Sequence, residues 1–196
     1  MTGTETDRIA FEAARLFASG KVDSLPVAIR QAVEALGLHQ TPPPSPGRVR
    51  QHLQARSMQA LGDVGYQKAV DDFLNIAQEI MALLEASFDD LETFLVGRAA
   101  KGFCDGGTTL HIRMYTKQSV GLIAARLVEG GYEEPEFRTA ETRFGRLDRM
   151  RLSEAGVEIV LTRCRPALQK HAGEDLFTGR RIDALDLDSL NRRLGG

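Results

Sequence analysis

His111 and Arg113 stand two residues apart in TTLHIRMYT, a stretch of strand composition that follows the glycine-rich FLVGRAAKGFCDGG. Side chains at i and i+2 of a strand point to one face, so this pair can act on a single ligand. Two carboxylates at such a spacing would hold divalent cations, because magnesium demands oxygen ligands in near-octahedral geometry. A pair of those ions stabilises the attacking and leaving oxygens of a displacement at phosphorus. Here the pair is an imidazole and a guanidinium. A guanidinium offers donors only and stays protonated, so Arg113 repels a metal cation and favours an anion. Arg98, beside Gly97, adds a second positive charge to the same neighbourhood.

Other reactive residue types carry weaker patterns. Glu158, in VEIVLTR, is the acid of a later strand that could serve the same face. Cys104 could act as a nucleophile if His111 approached it; a small buried thiol is the plainer reading. Asp105 precedes Gly106-Gly107 and reads as a turn residue. His39, His52, His111 and His171 lack the paired spacing of a metal site, and GFCDGG lacks the Gly-Lys-Ser/Thr ending of a phosphate loop. The Asp-x-Asp spelling occurs at Asp186 and Asp188, in the tail, where helix capping explains it.

The elements that must position these residues fall into two halves. DRIAFEAARLFASG sets Ile9, Ala13, Leu16 and Phe17 on one helical stripe ended by Gly20. LPVAIRQAVEALGL repeats the pattern, with Pro26 in its first turn. HQTPPPSPG, with its prolines at 42–46, reads as an extended linker or a braced turn. Two further helices follow, RVRQHLQARSMQAL and YQKAVDDFLNIAQEIMALLEASF, the second with a wide apolar face from Val70 to Leu84. After Phe88 come strands DLETFLVG and TTLHIRMYT, a helix KQSVGLIAARLVEGGY, and two or three strands through Cys164. GVEIVLTR alternates only partly, as in a strand covered on both faces. The tail predicts a turn and a short helix capped by Asp186 or Asp188. The fold class is α+β: a helical region 1–88 with a proline-rich linker at 42–46, and a mixed-sheet domain 89–196 with a tail helix.

Composition bounds the partners. The chain has 196 residues and is 42% hydrophobic, enough for one good core with a smaller helical unit. No apolar run approaches the ~20 residues of a spanning helix, and Glu5, Asp7, Arg8, Glu12 and Arg15 replace a signal core. Two cysteines make no disulfide framework, so a cytoplasmic home is expected. The net charge of −2 excludes a strongly basic protein, so bulk attraction to nucleic acid is not expected. Up to Asp90 there are 8 Lys+Arg against 12 Asp+Glu, and 17 against 15 thereafter. The basic excess runs through Arg138, Arg143, Arg146, Arg149, Arg151, Arg163 and Arg165, either a solvated sheet face or a polyanion-facing patch. Glu141, Asp148 and Glu154 interleave with it, so nucleic-acid binding is expected to be weak.

Together, LVGRAAKGF, TTLHIRMY and VEIVLT resemble the core of the nucleotidyltransferase-like fold, over Leu91–Arg165. The helical region resembles that of uncharacterised proteobacterial proteins carrying such domains, which points to a bacterial source. In that family a strand leads to a Gly-Ser or Gly-Gly turn, a short helix and a strand bearing Asp-x-Asp, with a third carboxylate on a later strand. The resemblance implies that Gly97 keeps the turn while Arg98 replaces its partner. His111 and Arg113 then take the metal positions, and Glu158 falls where the third carboxylate would. It thereby implies a catalytically degenerate protein binding a nucleotide, another phosphate ligand or a macromolecular partner through Gly97, Arg98, His111, Arg113 and Glu158. Such a protein would need no metal or cofactor. Two alternatives stand beside it: an active nucleotidyltransferase with atypical magnesium ligands, such as Glu158 with an outside carboxylate, and a structural or interaction module that dimerises along Tyr66–Phe88.

Overall fold

The computed structural model describes residues 4–20, 22, 24–105 and 108–195. Its α-helices are α1 (Glu5–Ala18), α2 (Leu25–Leu36), α3 (Pro46–Ser87), α4 (Val120–Glu129) and α5 (Leu187–Leu194). Its strands are β1 (Glu92–Val96), β2 (Leu110–Tyr115), β3 (Glu136–Thr142), β4 (Gly145–Glu154), β5 (Val157–Cys164) and β6 (Ala184–Asp186). The fold is α+β, as the sequence predicts, with helices up to Ser87 and, among the described residues, strands only after it. Two compact units divide within α3: Met1–Gln67 with Cys104–Gly107, and Lys68–Phe103 with Thr108–Gly196.

The first unit is a helical cluster. Thr4 caps α1 by accepting the Asp7 N–H, and α2 begins with Pro26 in its first turn, where the missing N–H has no partner to lose. The 42–45 stretch forms no regular element, and Pro46 opens α3. Ile9, Ala13, Ala28, Ile29, Ala32 and Leu53 form the core; small alanines let the helices come close. Arg48 donates to Asp7 at 2.6 Å. The two helices expected after the linker are merged into α3 across a kink at Gly62, whose φ of 67° and ψ of 171° are non-helical.

In the second unit a six-stranded sheet runs in the order β3-β4-β5-β2-β1-β6. β2 and β5 are parallel; every other neighbouring pair is antiparallel. A parallel pair needs a long crossover, and the stretch carrying α4 supplies it. Ser119 caps α4 through the Leu122 N–H, and Ile123, Ala124 and Leu127 are its buried stripe. Leu110, Ile112 and Met114 of β2 are fully buried and share one face; His111, Arg113 and Tyr115 share the other.

The apolar stripe of α3 beyond the kink is already used. Val70, Phe73, Leu74, Ala77, Ile80, Met81 and Leu84 are all buried within the single chain. Its exposed apolar side chains are instead Met58, Leu61 and Val64. The dimer surface expected along Tyr66–Phe88 is therefore covered, because folding consumes the face that would have formed it.

Two further elements have no counterpart in the sequence pattern. Residues Pro166–His171 form a 3-10 turn, and β6 adds three residues to the free side of β1. Between them, 173–182 form a strap closed on itself. Asp175 N–H donates to Arg180 O at 2.7 Å, Gly179 N–H to Asp175 O at 2.8 Å, and Ile182 N–H to Gly173 O at 2.9 Å. The expected tail helix is α5, capped by Asp186 through the Ser189 N–H at 2.7 Å.

Candidate anion-binding cleft

Register brings the cleft residues together. Arg113 of β2 stands opposite Thr162 of β5, and Thr162 stands opposite Arg149 of β4. Arg113, Thr162 and Arg149 thus form one row across three strands and, being in register, project from one face. Neighbouring strands lie about 4.8 Å apart, so roughly 10 Å of backbone separates the two arginines. His111 stands one step along, opposite Val160. The strap lies against this face and encloses a cleft of about 220 Å³, lined by Gly97, His111, Arg113, Arg149, Thr162, Asp175 and the apolar Val96, Phe177 and Ile182.

Gly97 opens the turn after β1 at φ 79°, a left-handed conformation natural to glycine. Its N–H donates to Asp183 O at 2.9 Å, at the end of the strap. In place of the expected short helix, residues 97–103 make successive hydrogen-bonded turns, with Phe103 N–H reaching Arg98 O. Arg193 donates to Ala100 O at 2.7 Å and braces that turn.

The sequence singled out five residues, and the cleft gathers three of them: Gly97, His111 and Arg113. His111 is exposed. Arg113 is only 4% exposed, and its Nη1 donates to the carbonyls of His171 and Ala172 at 3.3 and 3.1 Å. It anchors the start of the strap, which makes it neither a surface arginine nor a wholly free anion ligand. Arg98 is not among the lining residues; its guanidinium lies 5.0 Å from the Phe103 ring centroid. Glu158 is also outside the lining, although register puts it on the same sheet face. Its carboxylate is held by Arg151 at 2.7 Å and the Thr109 hydroxyl at 2.8 Å.

The other two charged residues of the cleft came from neither spacing nor motif. Arg149 lies 5.0 Å over the Phe177 ring, and its buried Nε finds no hydrogen-bond partner among the described residues. Burial pushes its guanidinium below the usual range, and Arg113 adds to that; Cys164 and Asp175 work the other way. A guanidinium starts so high that it remains charged. Asp175 closes an Asx turn: its Oδ1 accepts from Phe177 N–H at 3.1 Å, Thr178 N–H at 2.6 Å and the Thr178 hydroxyl at 2.8 Å. Burial opposes its charge, but the Thr178 and Phe177 bonds and the field of Arg113 outweigh it and hold the carboxyl below its usual range. The Asp-x-x-Thr-Gly spelling at Asp175–Gly179 was a legible Asx-turn signal. Nothing local tied it to residue 113.

Two guanidiniums face one carboxylate here, so the cleft carries a net positive charge in a partly desolvated space, where electrostatic interactions strengthen. Magnesium does not suit this donor set. An arginine stands in the row, the single carboxylate is committed to its own turn, and among the described residues no group of three His, Cys, Asp or Glu side chains is placed to hold a metal. Cys164, beneath the same face, is buried, and burial pushes its thiol up to about 11 despite nearby Arg113, Arg149 and Arg163.

No protein-family model matches the chain, and among curated proteins none matches significantly. Among the solved structures similar to it are three at 12% identity each. The GLD-2/RNP-8 complex matches 58% of this chain and 38% of its own at a TM-score of 0.39. Cid1 in complex with its short product ApU matches 63% and 39% at 0.41. The Cid1 poly(U) polymerase crystal structure matches 58% and 36% at 0.38. This chain spans less than two fifths of the length of each. These are partial likenesses of fold and give no cleft residue a role.

Proposed function

We propose that residues 89–196 form a catalytically degenerate nucleotidyltransferase-like domain that binds a small phosphate-bearing ligand in the cleft. One observation carries the reading: Arg113 and Arg149 share a row beneath the strap, where two-metal chemistry would need carboxylates. The connectivity supports it too, since a glycine turn joins β1 to β2 and β5 returns parallel beside β2. Arg149 is the principal charged contact, because its Nε is desolvated and unpartnered. Thr162 and the rim residue His111 supply further polar groups. The Gly97 N–H is already given to Asp183, so Gly97 shapes the cleft without donating to the ligand. Guanidiniums suit phosphate through paired donors.

The test is a panel of inorganic phosphate and nucleotides screened by thermal shift against wild type and Arg149→Ala. The reading predicts stabilisation of the wild type that the variant loses. If no member of the panel stabilises the wild type, the reading fails and an interaction module is the better account. Met58, Leu61 and Val64, exposed along α3, are the surface that account would use.

A further inference from the structure

The strap does more than roof the cleft. It brings its own anion. Asp175 lines the same space as Arg113 and Arg149, and its carboxylate interacts electrostatically with both. Phe177, two residues on, lies beneath the Arg149 guanidinium. The strap is pinned from outside the cleft as well. Arg143 N–H donates to Leu176 O at 3.0 Å, and Arg143 pairs with Glu174 at 2.9 Å. Yet its outer turn is exposed at Phe177, Thr178, Arg180 and Arg181, and no regular element holds residues 173–182. Leu176 is buried with Tyr115, Leu147 and Cys164, but the turn beyond it, from Phe177 to Arg181, is held by a few bonds and sits at the low-stability end of a fold.

Building on the ligand reading above, we propose that residues 173–182 are an autoinhibitory strap: Asp175 supplies the negative charge the cleft is built to receive, and Phe177 covers Arg149. An incoming phosphate and the seated strap are then mutually exclusive, because both answer the same two guanidiniums. Ligand entry displaces Asp175 and lifts the turn from Phe177 to Arg181, while Arg113 keeps hold of the carbonyls of His171 and Ala172 at the hinge. Apparent affinity is reduced by the fraction of molecules with the strap open.

Asp175→Asn tests this without dismantling the turn, since an asparagine side-chain oxygen accepts the same Asx-turn bonds and only the charge is lost. Inorganic phosphate is titrated by calorimetry into wild type, Asp175→Asn and Arg149→Ala. Hydrogen exchange of residues 173–182 is followed with and without phosphate. If the strap is open about one time in ten, the Asn variant binds phosphate about tenfold more tightly; phosphate also speeds strap exchange in the wild type, and Arg149→Ala binds phosphate about tenfold or more weakly than the wild type. Wild-type binding that depends on Arg149, with no gain in the Asn variant or with slower strap exchange, overturns the autoinhibitory role and leaves the ligand reading standing. Failure of both wild type and Asp175→Asn to bind phosphate overturns the two together.

Discussion

Arginines crowd both ends of one sheet face, and the two ends treat them differently. Towards β3 each has an acid to itself: Arg138 pairs with Glu136 at 3.0 Å and Arg151 with Glu158 at 2.7 Å. Most of those side chains are about half exposed or more, and water screens what they gain. Under the strap, Arg113 is buried against carbonyls and Arg149 stacks on Phe177 with a buried Nε unpaired. The lesson is that charge density alone does not mark a site. Desolvated charge without a one-to-one partner does, because only there can a ligand supply what the fold withholds.

That contrast can be broken first at Arg113. Arg113→Ala leaves the carbonyls of His171 and Ala172 without their donor, which costs about 1–3 kcal/mol for buried groups. Denaturant unfolding is expected to show a loss of that size, with faster proteolysis at Arg180 and Arg181. A loss under about 0.5 kcal/mol would mean that Arg113 does not anchor the strap.

A smaller effect is expected at Gly179. Its φ is 71°, and an added Cβ would meet the Arg143 guanidinium. The left-handed backbone alone costs an alanine about 1–2 kcal/mol, and Arg143 must also move. Gly179→Ala should therefore lower the melting temperature and loosen the strap, leaving β3 and β4 unchanged by hydrogen exchange. A rise in melting temperature would contradict the strap geometry.

Acid should open the strap too. The folded carboxyl of Asp175 sits below its ordinary value of 3.8, so the stability it contributes is complete above that value and is lost as pH falls through the lower folded one. NMR of the Thr178 amide is expected to show that transition, and Asp175→Asn to abolish it. At the open end, Glu158→Gln should change stability by less than about 1 kcal/mol and lose even that in high salt. Nucleic acid should bind this end weakly, with affinity falling steeply as salt rises; tight, salt-insensitive binding would reverse the ranking of the two ends.

Much of this was legible in sequence. Helical stripes at three- and four-residue steps, a proline in the first turn of α2 and glycines after α4 gave the elements, because each signal is local. The shared face of His111 and Arg113 followed from the two-residue period of β2. Arg149 and Asp175 were not legible as partners of Arg113. They lie 36 and 62 positions away along the chain, and only the β4-β5-β2 register and the strap's return bring them together. The strap itself has no periodicity to read, since backbone bonds, distant arginines and a single buried leucine, Leu176, hold it. Glu158 was readable as a strand acid, but its capture by Arg151 depends on the β4–β5 pairing.

The central claim, that the cleft beneath the strap is an anion site centred on Arg149, is tested most directly by calorimetric titration of inorganic phosphate into wild type and Arg149→Ala at low salt. A charge-assisted contact is worth about 1.5–3 kcal/mol, so the wild type is predicted to bind with the variant weaker by about tenfold or more, both remaining folded. Equal affinities, or no heat from either, would contradict it.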